Sequence, residues 1–177
     1  MPTSSKKLLV LQVAALGFEF LSGHYGNRRD DLLFKPIDAV FPAVTCTAQA
    51  SMRTAAAPSA HGMIANGLYH RALRKPLFWE QAAAQVEGRR WWDGFRDDGG
   101  TIGILFWQQS LGERADVVLS PAPIHKHHGG MIQDCYSLPR GLYDRLRTTL
   151  KRPFNLHRYW GPMASEASSQ WIAEAVA

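Results

Sequence analysis

Residues 41–67 read FPAVTCTAQASMRTAAAPSAHGMIANG. Small residues recur after Thr45, with Ala48, Ala50, Ala55, Ala56 and Ala57 among them. Pro58 then cannot continue a helix, because it lacks an N–H and its ring clashes with the preceding turn. The reading is a helix over residues 45–57 that packs closely against a neighbour and opens on a hydroxyl residue. Upstream, residues 8–14 are a near-continuous apolar run of strand length, the pattern of a parallel strand covered on both faces. Downstream, residues 101–107 (TIGILFW) form a second such run.

Three more helices are expected. One spans residues 79–88, where Glu80, Gln81, three alanines and Gln85 are good formers and Gly88 is a stop. Another spans residues 139–150, opened by Pro139, with Leu142, Leu146 and Leu150 on one face. The last spans residues 165–177 behind Ser165, a good N-cap. Strands alternating with helices imply an α/β layered sandwich with a mostly parallel central sheet. Residues 120–130, with two Pro, three His and two Gly, read as a long loop. No repeat or linker divides the chain, so residues 1–177 read as a single domain.

Composition narrows the function classes. The 177 residues carry 20 Lys and Arg against 15 Asp and Glu, a net charge of +5. The basic residues fall in separate pairs, such as Arg28 with Arg29 and Arg89 with Arg90, which describes a solvated surface rather than a nucleic-acid patch. Specific nucleic-acid binding is not expected, and a small phosphate-bearing partner suits such a surface. Two cysteines are too few for a disulfide scaffold, which points to a reducing, cytoplasmic setting. Lys6 and Lys7 before the apolar run imitate a signal peptide, but Gln12 and Glu19 interrupt the run, and a buried strand is preferred. No run reaches about 18 apolar residues, so no membrane span is expected.

The pattern Phe41, Pro42, Thr45, Thr54, Pro58, His61, Gly62 and Asn66 resembles the signature of the type I phosphodiesterases and nucleotide pyrophosphatases of the alkaline phosphatase superfamily, in their N-terminal half. Weaker similarity extends over residues 7–176. The resemblance implies an alkaline-phosphatase-like fold and a metal-dependent hydrolase of phosphodiester or pyrophosphate bonds. It places Thr45 as the nucleophile and as a metal ligand, with two zinc ions in relatives. It makes the Cys46 backbone N–H and the Asn66 amide the donors to the phosphoryl oxygens of a phosphate-ester or nucleotide substrate. Independently, a hydroxyl in the first turn of a helix sits where unpaired N–H groups and the helix dipole favour an anion.

Alternatives remain at each position. Thr45 alone also reads as a plain N-cap, and Thr47 competes for either role. His61 reads as a structural turn residue ahead of a ligand, and Cys46 as a small buried residue ahead of a thiol nucleophile. The strand-end Asp of the family is replaced by Ala14, and Glu19 nearby reads as a helix-surface residue. His125, His127 and His128 form a His cluster on a Gly-rich loop that is read as solvated or substrate-lining before metal-binding. The remaining Asp and His ligands of relatives lie in a second half that this chain, read as truncated, does not contain. The chain alone is therefore expected to bind zinc weakly and to pair with itself or with a missing C-terminal half. The alternative function is an incomplete or inactive phosphodiesterase-like module that binds phosphate esters or a partner chain.

Overall fold

A computed structural model describes residues 7–126 and 128–177, and the chain divides into two compact units, one ending at Ala39 and one spanning Val40–Ala177. The fold is mixed α/β with small sheets. No helix among the described residues is long and apolar enough to cross a membrane.

In the first unit, α1 (Phe18–Tyr25) ends at Gly26 with φ 65°. A short hairpin follows, β1 (Arg28–Arg29) antiparallel to β2 (Leu32–Leu33). The run over residues 8–14 is not the expected first strand. It forms no regular element, and Leu8, Leu9, Leu11 and Val13 are all exposed. An apolar run becomes a strand only where another strand satisfies its backbone groups, and the paired residues of this unit are the four in the hairpin.

The second unit begins with α2 (Thr45–Thr54) and α3 (Pro58–His61). α2 is shorter than its sequence suggests, because Ala55 turns left-handed at φ 51° and closes it before Pro58 opens the next helix. The hairpin β3 (Gly67–His70) and β4 (Lys75–Phe78) follows, then α4 (Asp93–Asp97). The helix expected over residues 79–88 reduces to a 3-10 turn at Ala83–Gln85. Tertiary bonds outcompete propensity there: Glu80 Oε1 accepts the N–H groups of Gln81 and Ala82, and the Ala83 N–H donates to Leu111 O.

The main sheet has the order β5 (Gly103–Leu105), β6 (Val117–Pro121), β9 (Cys135–Leu138), with the hairpin β7 (Ile124–His125) and β8 (Met131–Ile132) between β6 and β9 in sequence. β5 pairs parallel with β6 in the register Ile104–Val118, and β6 pairs antiparallel with β9 in the register Leu119–Ser137. The other described strand pairs are antiparallel hairpins, so parallel pairing is a small part of the sheet structure rather than most of it. The β7–β8 hairpin reverses the chain and brings β9 back antiparallel, whereas a parallel return needs a long crossover. Part of the expected 120–130 loop is thus strand.

β6 is covered on both faces, as period-two alternation requires. Leu119 packs with Phe106, Cys135, Tyr143, Phe154, Leu156 and Trp171, while Val118 packs with Trp92, Ile104 and Ala115. The first of these clusters is closed by α5 (Leu142–Thr149), through Tyr143 and Leu146, and by α6 (Glu166–Val176), through Trp171. Both helices lie within their expected spans. A third cluster, Cys46, Ala50, Met63 and Val86, seats α2.

Candidate functional site

α2 begins without a side-chain cap of its own, since its N-cap residue is Val44. The first N–H groups of a helix lack intrahelical partners. One of them, the Cys46 N–H, donates to Asn66 Oδ1 at 3.0 Å, so a residue twenty positions downstream caps the helix. An N–H can only donate, and this fixes the amide orientation: Oδ1 faces the helix and Nδ2 keeps its two donors. The Cys46 N–H, expected to face a phosphoryl oxygen, is the donor in this bond. Thr45 is half-buried in the same turn, and its hydroxyl forms no hydrogen bond with another described residue.

Asn66 is held from both sides. Its carbonyl accepts the Trp79 N–H at 2.9 Å, at the mouth of the β3–β4 hairpin. Gly67 follows it because the Phe78 ring lies over that backbone, with a ring carbon only 2.5 Å from where a Cβ would stand. The His-Gly turn supports α2 from below. His61 is fully buried, its Nδ1 accepts the Met63 N–H at 3.1 Å, and its Nε2 meets Ser51 Oγ at 2.8 Å. That makes the neutral Nε2–H form the one that donates to Ser51. Burial holds its pKa below the ordinary histidine value. Gly62 closes the turn at φ 77°, a left-handed position that suits glycine.

Thr47 is fully buried, and its Oγ1 has no partner among the described residues. Cys46 is also fully buried, and burial pushes its thiol up in pKa, against the opposing pull of Gln109 and Arg53. Gln109 Nε2 donates to Cys46 Sγ at 2.9 Å, while Gln109 Oε1 is buried and unpartnered. Gln109 and Asn66 both line a cavity of about 10 Å³, room for roughly one water.

Below this lies a buried polar network that the sequence did not announce. Arg53, near the end of α2, donates to the carbonyls of Gln108 and Gln109 and pairs with Glu113 at 3.1 Å. Arg90 pairs with the same carboxylate at 3.0 Å and donates to the carbonyls of Val86, Gly88 and Ala83. Gln81 links Trp79 O to Gln108 Oε1, and Gln49 accepts the Gln108 N–H. Glutamines and arginines scattered over residues 49–113 carry no local spacing signal, so sequence reading passes over them.

The remaining sequence candidates are Ala14, Glu19 and the cluster of His125, His127 and His128. Ala14 is exposed in a turn, and Glu19 is exposed in the first turn of α1, the helix-surface placement expected. His125 is in β7, His128 is exposed beyond it, and His127 lies outside the described residues. The described residues contain no group of three or more His, Cys, Asp or Glu able to hold a metal ion. A zinc site needs three or four convergent ligands, so these residues do not fit the zinc pair that the resemblance implies.

No curated protein and no solved structure matches the chain. The sequence model described as type I phosphodiesterase / nucleotide pyrophosphatase matches residues 28–177, which include α2, the His-Gly turn and Asn66. With Thr45 and Asn66 brought to one helix start inside that span, the chain belongs to the type I phosphodiesterase / nucleotide pyrophosphatase family, a group of generally metal-dependent hydrolases.

Proposed function

We propose that the chain carries the nucleophile segment of a hydrolase of phosphodiester or nucleotide pyrophosphate bonds. The observation that carries the reading is the 3.0 Å bond from the Cys46 N–H to Asn66 Oδ1, which sets the Asn66 amide beside Thr45 at the start of α2. Thr45 Oγ attacks phosphorus, its proton passes to solvent, and a covalent phosphothreonine forms as the P–O bond to the leaving group breaks. The departing oxygen takes a proton from water. A second water then attacks the phosphorus, releasing the phosphate monoester and restoring the hydroxyl. Asn66 Nδ2 and the positive end of α2 stabilise the charge that builds on the equatorial oxygens. Thr45 is preferred to Thr47 because it retains solvent access, whereas Thr47 is sealed in the core.

Activity is tested with bis(p-nitrophenyl) phosphate and with mass-spectrometric trapping of phosphate on Thr45. Thr45→Ala should abolish both turnover and the adduct. Equal turnover in Thr45→Ala and the unaltered chain would refute the nucleophile assignment.

A second reading is favoured by the lack of a three-ligand cluster among the described residues. In it the chain binds phosphate esters at the same helix start, and turns over only when a partner or the remaining part of a longer chain supplies metal ligands. The cytoplasmic setting belongs to either reading. A chain that turns over the diester unaided, with stoichiometric metal measured by elemental mass spectrometry, would remove this second reading.

A further inference from the structure

A second cleft, unrelated to Thr45, opens between the loop after α5 and the first turns of α6. Its volume is about 330 Å³, and its lining carries Arg152 and Arg158 with no carboxylate. Hydrogen bonds tie down the backbone of both arginines. Trp171, buried in the main core, donates its indole N–H to Arg152 O at 3.2 Å, and the Ser165 N–H donates to Arg158 O at 2.9 Å. Asn155, between the arginines in sequence, also lines the cleft; its Oδ1 accepts the His157 N–H at 3.1 Å, and its Nδ2 makes no hydrogen bond with another described residue. Arg158 has no ion-pair partner among the described residues. Arg152 has one, Glu174 at 2.7 Å, but both side chains are partly exposed, and such a pair contributes little.

We propose that this cleft binds a small organic anion, with a phosphate or carboxylate head held by Arg158, Arg152 and Asn155 and an apolar body against Pro153, Ala167 and the edge of Trp171. Planar guanidinium groups match both heads bidentately. The volume lies at the small end of ligand sites, which run from about 300 to 1,000 Å³, and is far more than a bare anion fills. The site is separate from the proposed catalytic chemistry and stands whether or not that reading holds.

Isothermal titration with phenyl phosphate, benzoate and inorganic phosphate tests it. Phenyl phosphate or benzoate should bind saturably, and the tighter of the two identifies the head; inorganic phosphate, lacking the apolar body, should bind more weakly. Benzoate, which is not a phosphate ester and is not expected at the Thr45 site, should bind Thr45→Ala and the unaltered chain equally. Arg158→Gln should weaken it by about tenfold or more, as expected for a lost charge-assisted contact, with melting temperature and circular dichroism preserved. Glu174→Gln should strengthen it by freeing Arg152, an effect that a purely structural role would not produce. The proposal is overturned by the absence of saturable binding for both organic anions, by equal affinity in Arg158→Gln and the unaltered chain, or by benzoate binding that disappears in Thr45→Ala.

Discussion

Replacing Glu113 with Gln should leave two buried guanidinium groups without a counter-charge. Only 1% of the Arg53 side chain, 8% of Arg90 and 5% of Glu113 is exposed, so water cannot take over the lost role. The carboxylate meets Arg53 at 3.1 Å and Arg90 at 3.0 Å, and no other carboxylate pairs with Arg53 among the described residues. Burial already pulls the Arg53 guanidinium down to about 10, with Glu113 opposing that fall, so removing Glu113 lowers it further. The folded-state value then lies further below the unfolded one, and the cost of burying the cation applies in full at neutral pH and lifts only as the pH rises past the folded value.

Breaking a buried pair from one side costs about 3–5 kcal/mol. Gln still offers one acceptor, so Glu113→Gln belongs near 3 kcal/mol and Glu113→Ala near 5 kcal/mol on that scale, against a total stability of roughly 5–15 kcal/mol. Urea unfolding followed by tryptophan fluorescence reads this directly. With a slope of about 1–3 kcal/mol/M, the midpoint of Glu113→Gln should fall by roughly 1–3 M. Glu174→Gln, which breaks the exposed pair with Arg152, is the control and should cost about 0–1 kcal/mol. If Glu113→Gln costs no more than that control, the buried network does not hold α2 to the 108–113 loop as argued.

Three further outcomes test the site. Asn66→Asp keeps an acceptor for the Cys46 N–H and should keep stability within a few tenths of a kcal/mol, while Asn66→Ala loses the cap and should cost about 1 kcal/mol. Both remove the Nδ2 donor, so any phosphodiesterase turnover should fall by about 10²- to 10³-fold in each; full turnover in Asn66→Asp would deny the amide its role at phosphorus. Because burial depresses the His61 pKa from 6.5, the unfolded chain binds the proton first. Stability is therefore complete above about pH 6.5 and declines as the pH falls below it. Urea midpoints measured from about pH 8 to about pH 5 should show a drop that shrinks in His61→Gln, and an identical slope in that variant would assign the drop elsewhere. Burial raises the Cys46 thiol and pushes Cys135 up to about 12, helped by Asp134, so a thiol reagent should label neither cysteine until the chain unfolds. Fast labelling of native Cys46 would contradict its sealed position in the α2 cluster.

Local chemistry made part of this protein legible. Helices beginning at Thr45, within residues 139–150 and behind Ser165 were legible from a run of small residues, from Leu142, Leu146 and Leu150 and from Ser165, because helix signals act within a few residues, although neither the Thr45 nor the Ser165 hydroxyl caps its helix. The His61–Gly62 turn was readable from the ordered motif, which also singled out Asn66, the residue that the fold brings to the start of α2. Tertiary structure alone decided the rest. Residues 79–88 had helix-forming composition, yet Leu111 O and Glu80 took their N–H groups. Residues 8–14 had strand composition, yet a strand exists only with a partner. Gln109 reaches Cys46 across 63 positions and Glu113 reaches Arg53 across 60, and no local spacing encodes such pairs. Propensity describes what a segment prefers when alone, whereas a buried donor, acceptor or charge must find its partner wherever the folded chain places it.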